Sequence, residues 1–372
     1  MLSKFYMPTK VIMGEDCIIK NCELLTTLGR KALIVTGAKS SKMNGSENDV
    51  KIALESIGIQ YEVFDKVMSN PTIDCVYEGA SMAKGTSADF IIAIGGGSPM
   101  DAGKAIALLA AQDIGQENLF SGQYENKVLP MALVPTTAGT GSEVTPYSIL
   151  TNHKAQTKTS IASDLLFPTF AFLDAKYTES LGLMTTINTA IDALSHAIEG
   201  MLSVKATTVS DALASESIRL IMNCIPDMIQ GAEIKNPLDL KQRELLLQAS
   251  CIAGMVIAQT GTTAVHAMGY PLTYFKDIDH GRANGLLLGE YLKLVEKEEP
   301  NLSTRILKVM NVSETEEFKE LLNRLLGPRE EISSEEIFQY SARASKTKNM
   351  NNCVVKPTED DIKTMYTKSL TN

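Results

Sequence analysis

Between residues 31 and 174, short runs rich in β-branched residues recur with amphipathic segments between them. That alternation points to a parallel sheet whose strands are joined by crossover helices. KALIVTG (31–37), QYEVFD (60–65), FIIAIGGG (90–97), MALVPTT (131–137) and FAFLD (170–174) read as the strands. VKIALESIG and VYEGASMAKG read as helices stopped by Gly58 and Gly85. After Tyr177 the texture changes to long Ala/Leu/Ser-rich stretches at helical spacing, among them TTINTAIDALSHAIEGMLS and RELLLQASCIAGMVIAQ. The expectation is an α/β plus all-α chain: an N-terminal Rossmann-like parallel-sheet domain over residues 1–178, then a C-terminal helical domain over residues 179–372. With 372 residues the chain can bury two cores.

Charge narrows the partners. Thirty-five Lys and Arg against 44 Asp and Glu give a formal charge of −9, with no basic block for a phosphate backbone, so nucleic acid is not an expected partner. No stretch approaches the length of a membrane span, and the first residues, MLSKFYMPTKVIMGED, lack the apolar segment of an export signal. Six scattered cysteines without a C-x-x-C pair read as buried thiols. The expected location is the cytoplasm.

In FIIAIGGGSPMDAGKAIALLA, three glycines end a strand and a helix follows, with Ser98 read as its N-cap and Pro99 as its first residue. Backbone N–H groups and the positive end of the helix dipole suit a diphosphate there. The loop is neither a P-loop nor the G-x-G-x-x-G fingerprint, and a tight turn without a ligand is the competing reading. A second loop, PTTAGTGSEVTPYS, again follows a strand and carries Thr136, Thr137, Thr140, Ser142 and Thr145 among glycines. Two such loops at strand C-termini suggest one shared ligand.

The chain has four histidines, three of them in the helical half. Asp192 and His196 are four apart and share a helix face. Alone, such a pair is more often a structural hydrogen bond than a metal site. His266, in the small-residue helix GTTAVHAMGY, and His280, in the turn-like DIDHGRANG, complete one carboxylate and three imidazoles, a set suited to Zn²⁺ or Fe²⁺ with a position open for substrate oxygen. The fourth, His153, reads as a surface loop residue in TNHKAQTK.

Taken together, GGGSPMDAGK, PTTAGTGSEVTPYSI, DALSHAIEG and the spacing of His266 and His280 resemble the iron-containing, group III alcohol dehydrogenases over nearly the whole chain. The resemblance implies a dinucleotide-binding domain, a helical metal-binding domain, a catalytic cleft between them and a homodimer. It implies cofactor contacts at Asn70, Gly95, Gly96, Gly97, Ser98, Asp101, Thr136, Thr137 and Lys158. Metal ligation would fall to Asp192, His196, His266 and His280, with Fe²⁺ expected and Zn²⁺ the alternative. The implied reaction is hydride transfer between a primary alcohol or its aldehyde and a nicotinamide, with His266, His280 and Tyr270 at the reacting centre. Tyr270 stands where many members carry a proton-relaying histidine. An unperturbed tyrosine pKa near ~10 makes it a poor base at neutral pH.

NADP is the expected carrier, with NAD admissible. Where the resembled family often places an aspartate after the first strand, this chain has Gly37, followed by Lys39, Ser40, Ser41 and Lys42, which offer donors and positive charge to a 2′-phosphate. Asp65, at the end of the next strand, could oppose that choice. Three rival functions stand beside this one: a dehydroquinate-synthase-like lyase, whose type carries a Glu/His/His set; a maleylacetate-reductase-like enzyme without metal; and a metallohydrolase or binding protein whose glycine loops are turns.

Overall fold

A computed structural model describes residues 4–234 and 238–370. The chain forms two compact units, one spanning Met7–Leu181 and one that begins at Gly182 and takes in residues 4–6. The first unit extends past the expected boundary at 178. Residues 179–181 continue the turn Ala175–Thr178, Glu179 N–H donating to Lys176 O at 3.2 Å and Leu181 N–H to Thr178 O at 3.1 Å. That turn is held in the sheet domain by buried Tyr177, whose hydroxyl donates to Asp49 at 3.0 Å. At the other end, Tyr6 pairs its backbone N–H and C=O with the Gln259 side chain, both at 2.9 Å.

In chain order the first unit contains β1 (Lys10–Met13), α1 (Cys17–Lys20), β2 (Lys31–Thr36), α2 (Ser40–Met43), α3 (Ser46–Ser56), β3 (Gln60–Phe64), α4 (Ile73–Thr86) and β4 (Phe90–Gly95). It continues with α5 (Gly97–Ala111), β5 (Met131–Pro135), β6 (Tyr147–Asn152), β7 (Thr157–Ala162) and β8 (Phe170–Leu173). Six strands pair in parallel in the order β1-β8-β5-β4-β2-β3, while β6 and β7 form a separate antiparallel hairpin. Alternate residues of each strand serve opposite faces. Leu33, Val35, Ile91 and Ala93 pack against α4 and α5, and Ala32, Ile34, Ile92 and Ile94 pack with α1 and α3. Coverage on both faces is why these strands read as continuous apolar runs.

β2 lies between β3 and β4, so the order of strands reverses at β2. Ligands of doubly wound sheets bind outside the strand C-termini at such a switch point. Gly37 follows β2 and Gly95 ends β4, which places both glycine-bearing turns there. Two local expectations change. α4 runs through Gly85 and stops at Ser87, which adopts φ 55°. α5 starts at Gly97 with Gly96 as its N-cap, each two residues before the expected Pro99 and Ser98.

The second unit is helical, as expected: α6 (Leu183–Met201), α7 (Thr208–Ile234), α8 (Leu240–Thr260), α9 (Ala264–Lys276), α10 (His280–Glu298), α11 (Pro300–Met310), α12 (Thr315–Leu326), α13 (Ser334–Ala344) and α14 (Glu359–Leu370). Small residues let its helices approach closely. A Cβ on Gly281 of α10 would stand 1.9 Å from the backbone oxygen of Asn188 in α6, and one on Gly285 would stand 2.6 Å from Ile191. Among the described residues no single helix is long and apolar enough to cross a membrane.

Candidate metal centre and cofactor loops

In the second unit, α6 presents Asp192 and His196 four residues apart on one buried face, α9 presents His266 near its start, and α10 begins with His280. His280 therefore lies on a helix rather than in a turn. Asp279 is the N-cap, its carboxylate accepting from Gly281 N–H at 3.2 Å. That capping pattern, an Asp followed by a helix, is what made the segment look turn-like.

All three imidazoles direct Nε2 at one carboxylate oxygen. Asp192 Oδ1 is 3.9 Å from His196 Nε2, 3.8 Å from His266 Nε2 and 3.9 Å from His280 Nε2. These separations are beyond hydrogen-bond reach yet shorter than two metal–ligand bonds of about 2.0–2.2 Å laid end to end. Ligand atoms of Asp192, His196 and His266 lie within 4.8 Å of one another, and all three residues are buried. The donor set thus fits a divalent transition ion. His280 is 27% exposed where the other three side chains are 3–6% exposed, so the centre opens on the His280 side. Burial alone would raise the Asp192 carboxyl, but the three imidazoles and Asn284 together hold it below its usual range.

His266 is oriented by a residue that the sequence reading passed over. Glu199, fully buried on α6, accepts from His266 Nδ1 through Oε2. Through Oε1 it accepts from Thr263 N–H (2.8 Å), Thr263 Oγ1 (2.6 Å), Val265 N–H (3.0 Å) and His266 N–H (3.4 Å). One carboxylate therefore caps the N-terminus of α9, where amides lack helical partners, and fixes the ring that α9 delivers. Burial works against its charge, yet His266 and Thr263 keep Glu199 ionised below its ordinary pKa. Tyr270, one turn after His266, lays its ring parallel to that of His280, with centroids 5.8 Å apart and planes at 6°.

The cofactor candidates belong to the first unit. Gly95, Gly96 and Gly97 lead into α5, whose N-terminus no side chain caps. The second loop lies against them: Thr136 N–H donates to Gly95 O at 2.9 Å, and a Cβ on Gly96 or Gly97 would stand 3.1 Å from Thr137 or 2.8 Å from Thr140. Ser98 does not cap the helix. Its hydroxyl accepts from Asn70 N–H at 3.1 Å, and Asn70 O accepts from Thr151 Oγ1 at 2.9 Å, so Asn70, Ser98 and β6 are tied together. Lys158 lies on β7 of the same hairpin.

Asp101 turns inward, accepting from Ser142 Oγ at 2.6 Å and from Ile149 N–H at 3.0 Å. Burial raises its carboxyl despite Lys104 and those donors. Lys104 itself was missed, although a lone cation within the apolar run KAIALLAA was the signal. Fully buried, its ammonium donates to Ser142 Oγ (2.8 Å), Thr145 O (2.9 Å), Thr145 Oγ1 (3.2 Å) and Tyr147 O (2.9 Å). Burial pushes it down to about 8, while neighbouring Asp101 and Glu143 oppose the shift. Thr145 is thus a strut beneath the second loop, held by Lys104.

At the first strand's end the picture differs from expectation. Ser41 is buried and its hydroxyl donates to Glu47 at 2.9 Å, so it does not present a donor to a phosphate. Exposed Lys42 pairs with Asp65 at 2.7 Å, and Ser40 begins α2 on the exposed side. Gly37 is hemmed in, for a Cβ there would stand 3.2 Å from Val67 O.

Comparison with known proteins agrees with this geometry. The family model described as "Iron-containing alcohol dehydrogenase" matches residues 8–175, and "Fe-containing alcohol dehydrogenase family, C-terminal" matches residues 186–370. The chain is 35% identical to the long-chain primary alcohol dehydrogenase of Thermoanaerobacter ethanolicus over 76% of this chain and 71% of that one. It is 32% identical to the NAD-dependent methanol dehydrogenase of Bacillus methanolicus, covering 77% and 74%. The crystal structure of an iron-containing alcohol dehydrogenase from Thermotoga maritima superposes with a TM-score of 0.91 at 40% identity, covering both chains completely.

Proposed function

The chain belongs to the iron-containing alcohol dehydrogenase family, an oxidoreductase family acting on alcohols, and from that premise we propose that it interconverts primary alcohols and aldehydes with NADP as preferred carrier and Fe²⁺ at Asp192, His196, His266 and His280. The observation that carries this reading is the convergence of three Nε2 atoms on Asp192 Oδ1 at 3.8–3.9 Å. An ion held there supplies a Lewis acid for the substrate oxygen. The residues do the rest: Glu199 fixes His266, His280 borders the open side, and Tyr270 covers one face of the His280 ring. Asp192 in place of a glutamate, with a third histidine present, disfavours the lyase and the metal-free reductase.

The preference for NADP rests on Gly37, which brings no acid, and on exposed Lys42 in the segment that follows it. The pairing of Lys42 with Asp65 holds that acid below its ordinary pKa and would have to yield to a 2′-phosphate. The methanol dehydrogenase relative is NAD-dependent by its name. An aldehyde panel run with NADPH and with NADH, after restoring Fe²⁺ or Zn²⁺ to the stripped protein, tests all three elements. Higher kcat/KM with NADPH is the expected result. Turnover of NADH at least as efficient overturns the carrier preference alone, and no metal-dependent turnover of any aldehyde overturns the reading.

Tyr270 is proposed to line the site. Its ring-on-ring contact with His280 needs no hydroxyl. Tyr270→Phe should therefore lower kcat by less than about a hundredfold, the low end of general acid–base contributions, and a larger loss would make the hydroxyl a proton carrier. A cytoplasmic location fits six cysteines that form no disulfide with one another, five of them buried and Cys22 partly so. A homodimer is the assembly carried over from the family resemblance, and sedimentation of the full chain checks it.

A further inference from the structure

Asn284 sits one helical turn after His280 on α10 and is completely buried. Its Nδ2 stands 3.0 Å from Asp192 Oδ1, 3.2 Å from His266 Nε2 and 3.4 Å from His280 Nε2. Three of the four ligand atoms thus share one amide nitrogen. Its Oδ1, by contrast, meets no donor among the described residues. The oxygen rests against Gly269 of α9, where a Cβ would stand only 2.3 Å away. Rotating the amide would bring its oxygen up against a carboxylate oxygen and two imidazole nitrogens, so nitrogen-inward is the orientation that the ligand atoms favour.

We infer that Asn284 is a positioning residue that pre-assembles the ligand set before metal arrives, its amide donors standing in for the cation and holding the imidazole Nε2 atoms as acceptors. An amide nitrogen can only donate, and its two hydrogens, shared among three neighbours, favour a lone pair on the atoms they meet, which is also what a metal requires. For His266 the same tautomer is enforced from behind by Glu199. For His280 the contact behind the ring is Thr273 Oγ1 at 3.4 Å, whose hydroxyl already donates to Gly269 O at 3.1 Å and so accepts from Nδ1, a long contact that holds the tautomer less firmly than Glu199 holds that of His266. The amide therefore matters most at His280, the most exposed ligand. Gly269 is part of the device, since any side chain there would drive the amide out of its notch.

The inference rests on the metal centre proposed above, and one titration separates the two. Chelator-stripped full-length protein is titrated with Zn²⁺ against a chromogenic chelator, and the imidazoles are followed by ¹⁵N NMR in the metal-free state. If the unmodified protein takes up no Zn²⁺, the centre itself is refuted. With uptake shown, Asn284→Ala should raise the Zn²⁺ dissociation constant by about ten- to a hundredfold, the usual effect of losing a group that orients ligands. It should also populate the Nε2-protonated form of His280, while NADPH binding, read by fluorescence, stays as in the unmodified protein. A dissociation constant within twofold, or an unchanged His280 Nε2 signal, overturns the inference. Should Asn284→Ala fail to fold, Asn284→Asp takes its place, because it keeps the shape and exchanges donor for acceptor. Its metal-free Tm should fall and its metal-induced rise in Tm should exceed that of the unmodified protein. A metal-free Tm equal to the unmodified value, or a rise no larger, overturns the inference.

Discussion

His266→Ala is expected to lose bound metal and turnover together, with kcat/KM for an aldehyde falling at least roughly a thousandfold, since a Lewis acid supplies several kcal/mol and each ~1.4 kcal/mol is a factor of ten. The side chain has two jobs on opposite edges of one ring. Nε2 faces Asp192 at 3.8 Å, and Nδ1 is spent on Glu199. Alanine removes both. The fold should survive, because Glu199 Oε1 keeps the Thr263 and Val265 donors that cap α9. Some stability is lost, since Glu199 Oε2 is then a buried carboxylate oxygen without its Nδ1–H donor, a change that costs at least about 1–3 kcal/mol. Metal content by elemental analysis, Tm and turnover are measured on one preparation. Full metal stoichiometry with intact activity would remove His266 from the centre, whereas lost activity with unfolded protein would assign it a structural role.

What the sequence made visible follows from where each residue's partners lie. The central strands were legible because β2, β4 and β5 are covered on both faces, which demands unbroken apolar runs. β1 was not, for KVIM is four residues long with both ends exposed, and such an edge carries no periodic signal. The β6–β7 hairpin hid in polar sequence, its strands YSILTN and TKTSIA fixed by pairing with each other and by Asp101 reaching Ile149 N–H from α5. Asp192 and His196 were legible as a pair because four residues make one helical turn. Glu199, one further turn along α6, looked like an ordinary helix acid, since its partners Thr263 and His266 lie more than sixty residues away. Asn284 was silent for the same reason: its role exists only where α6, α9 and α10 converge. Ser41 shows the opposite error. A hydroxyl among lysines suggested a phosphate contact, while Glu47, six residues on, already held it.

Gly97→Val should weaken cofactor binding by roughly ten- to a hundredfold in dissociation constant, following an overpacking cost of about 1–3 kcal/mol. From sequence, the glycine's purpose was to let a diphosphate approach the backbone. The structure adds a nearer constraint. A Cβ at 97 would stand 2.8 Å from Thr140 Cγ2, below any ordinary contact, and valine adds two methyl groups beyond it. Positive φ is found at Gly95 and not at Gly97, so the need at 97 is for space rather than backbone freedom. Relief requires the second loop to lift away from α5. That movement is resisted, because Thr136 N–H is bound to Gly95 O, and Lys104 anchors the loop's far end through Ser142 and Thr145. Both candidate cofactor loops are thus disturbed by one substitution. The ligands of the metal centre all lie in the other unit, so the Zn²⁺ dissociation constant should stay within twofold and serves as the fold control. Gly97→Ala, with only the first clash, should fall between the two proteins in an NADPH fluorescence titration. If Gly97→Val binds NADPH as tightly as the unmodified chain, the glycine loop and the loop that packs on it are a turn in the fold and not the cofactor site.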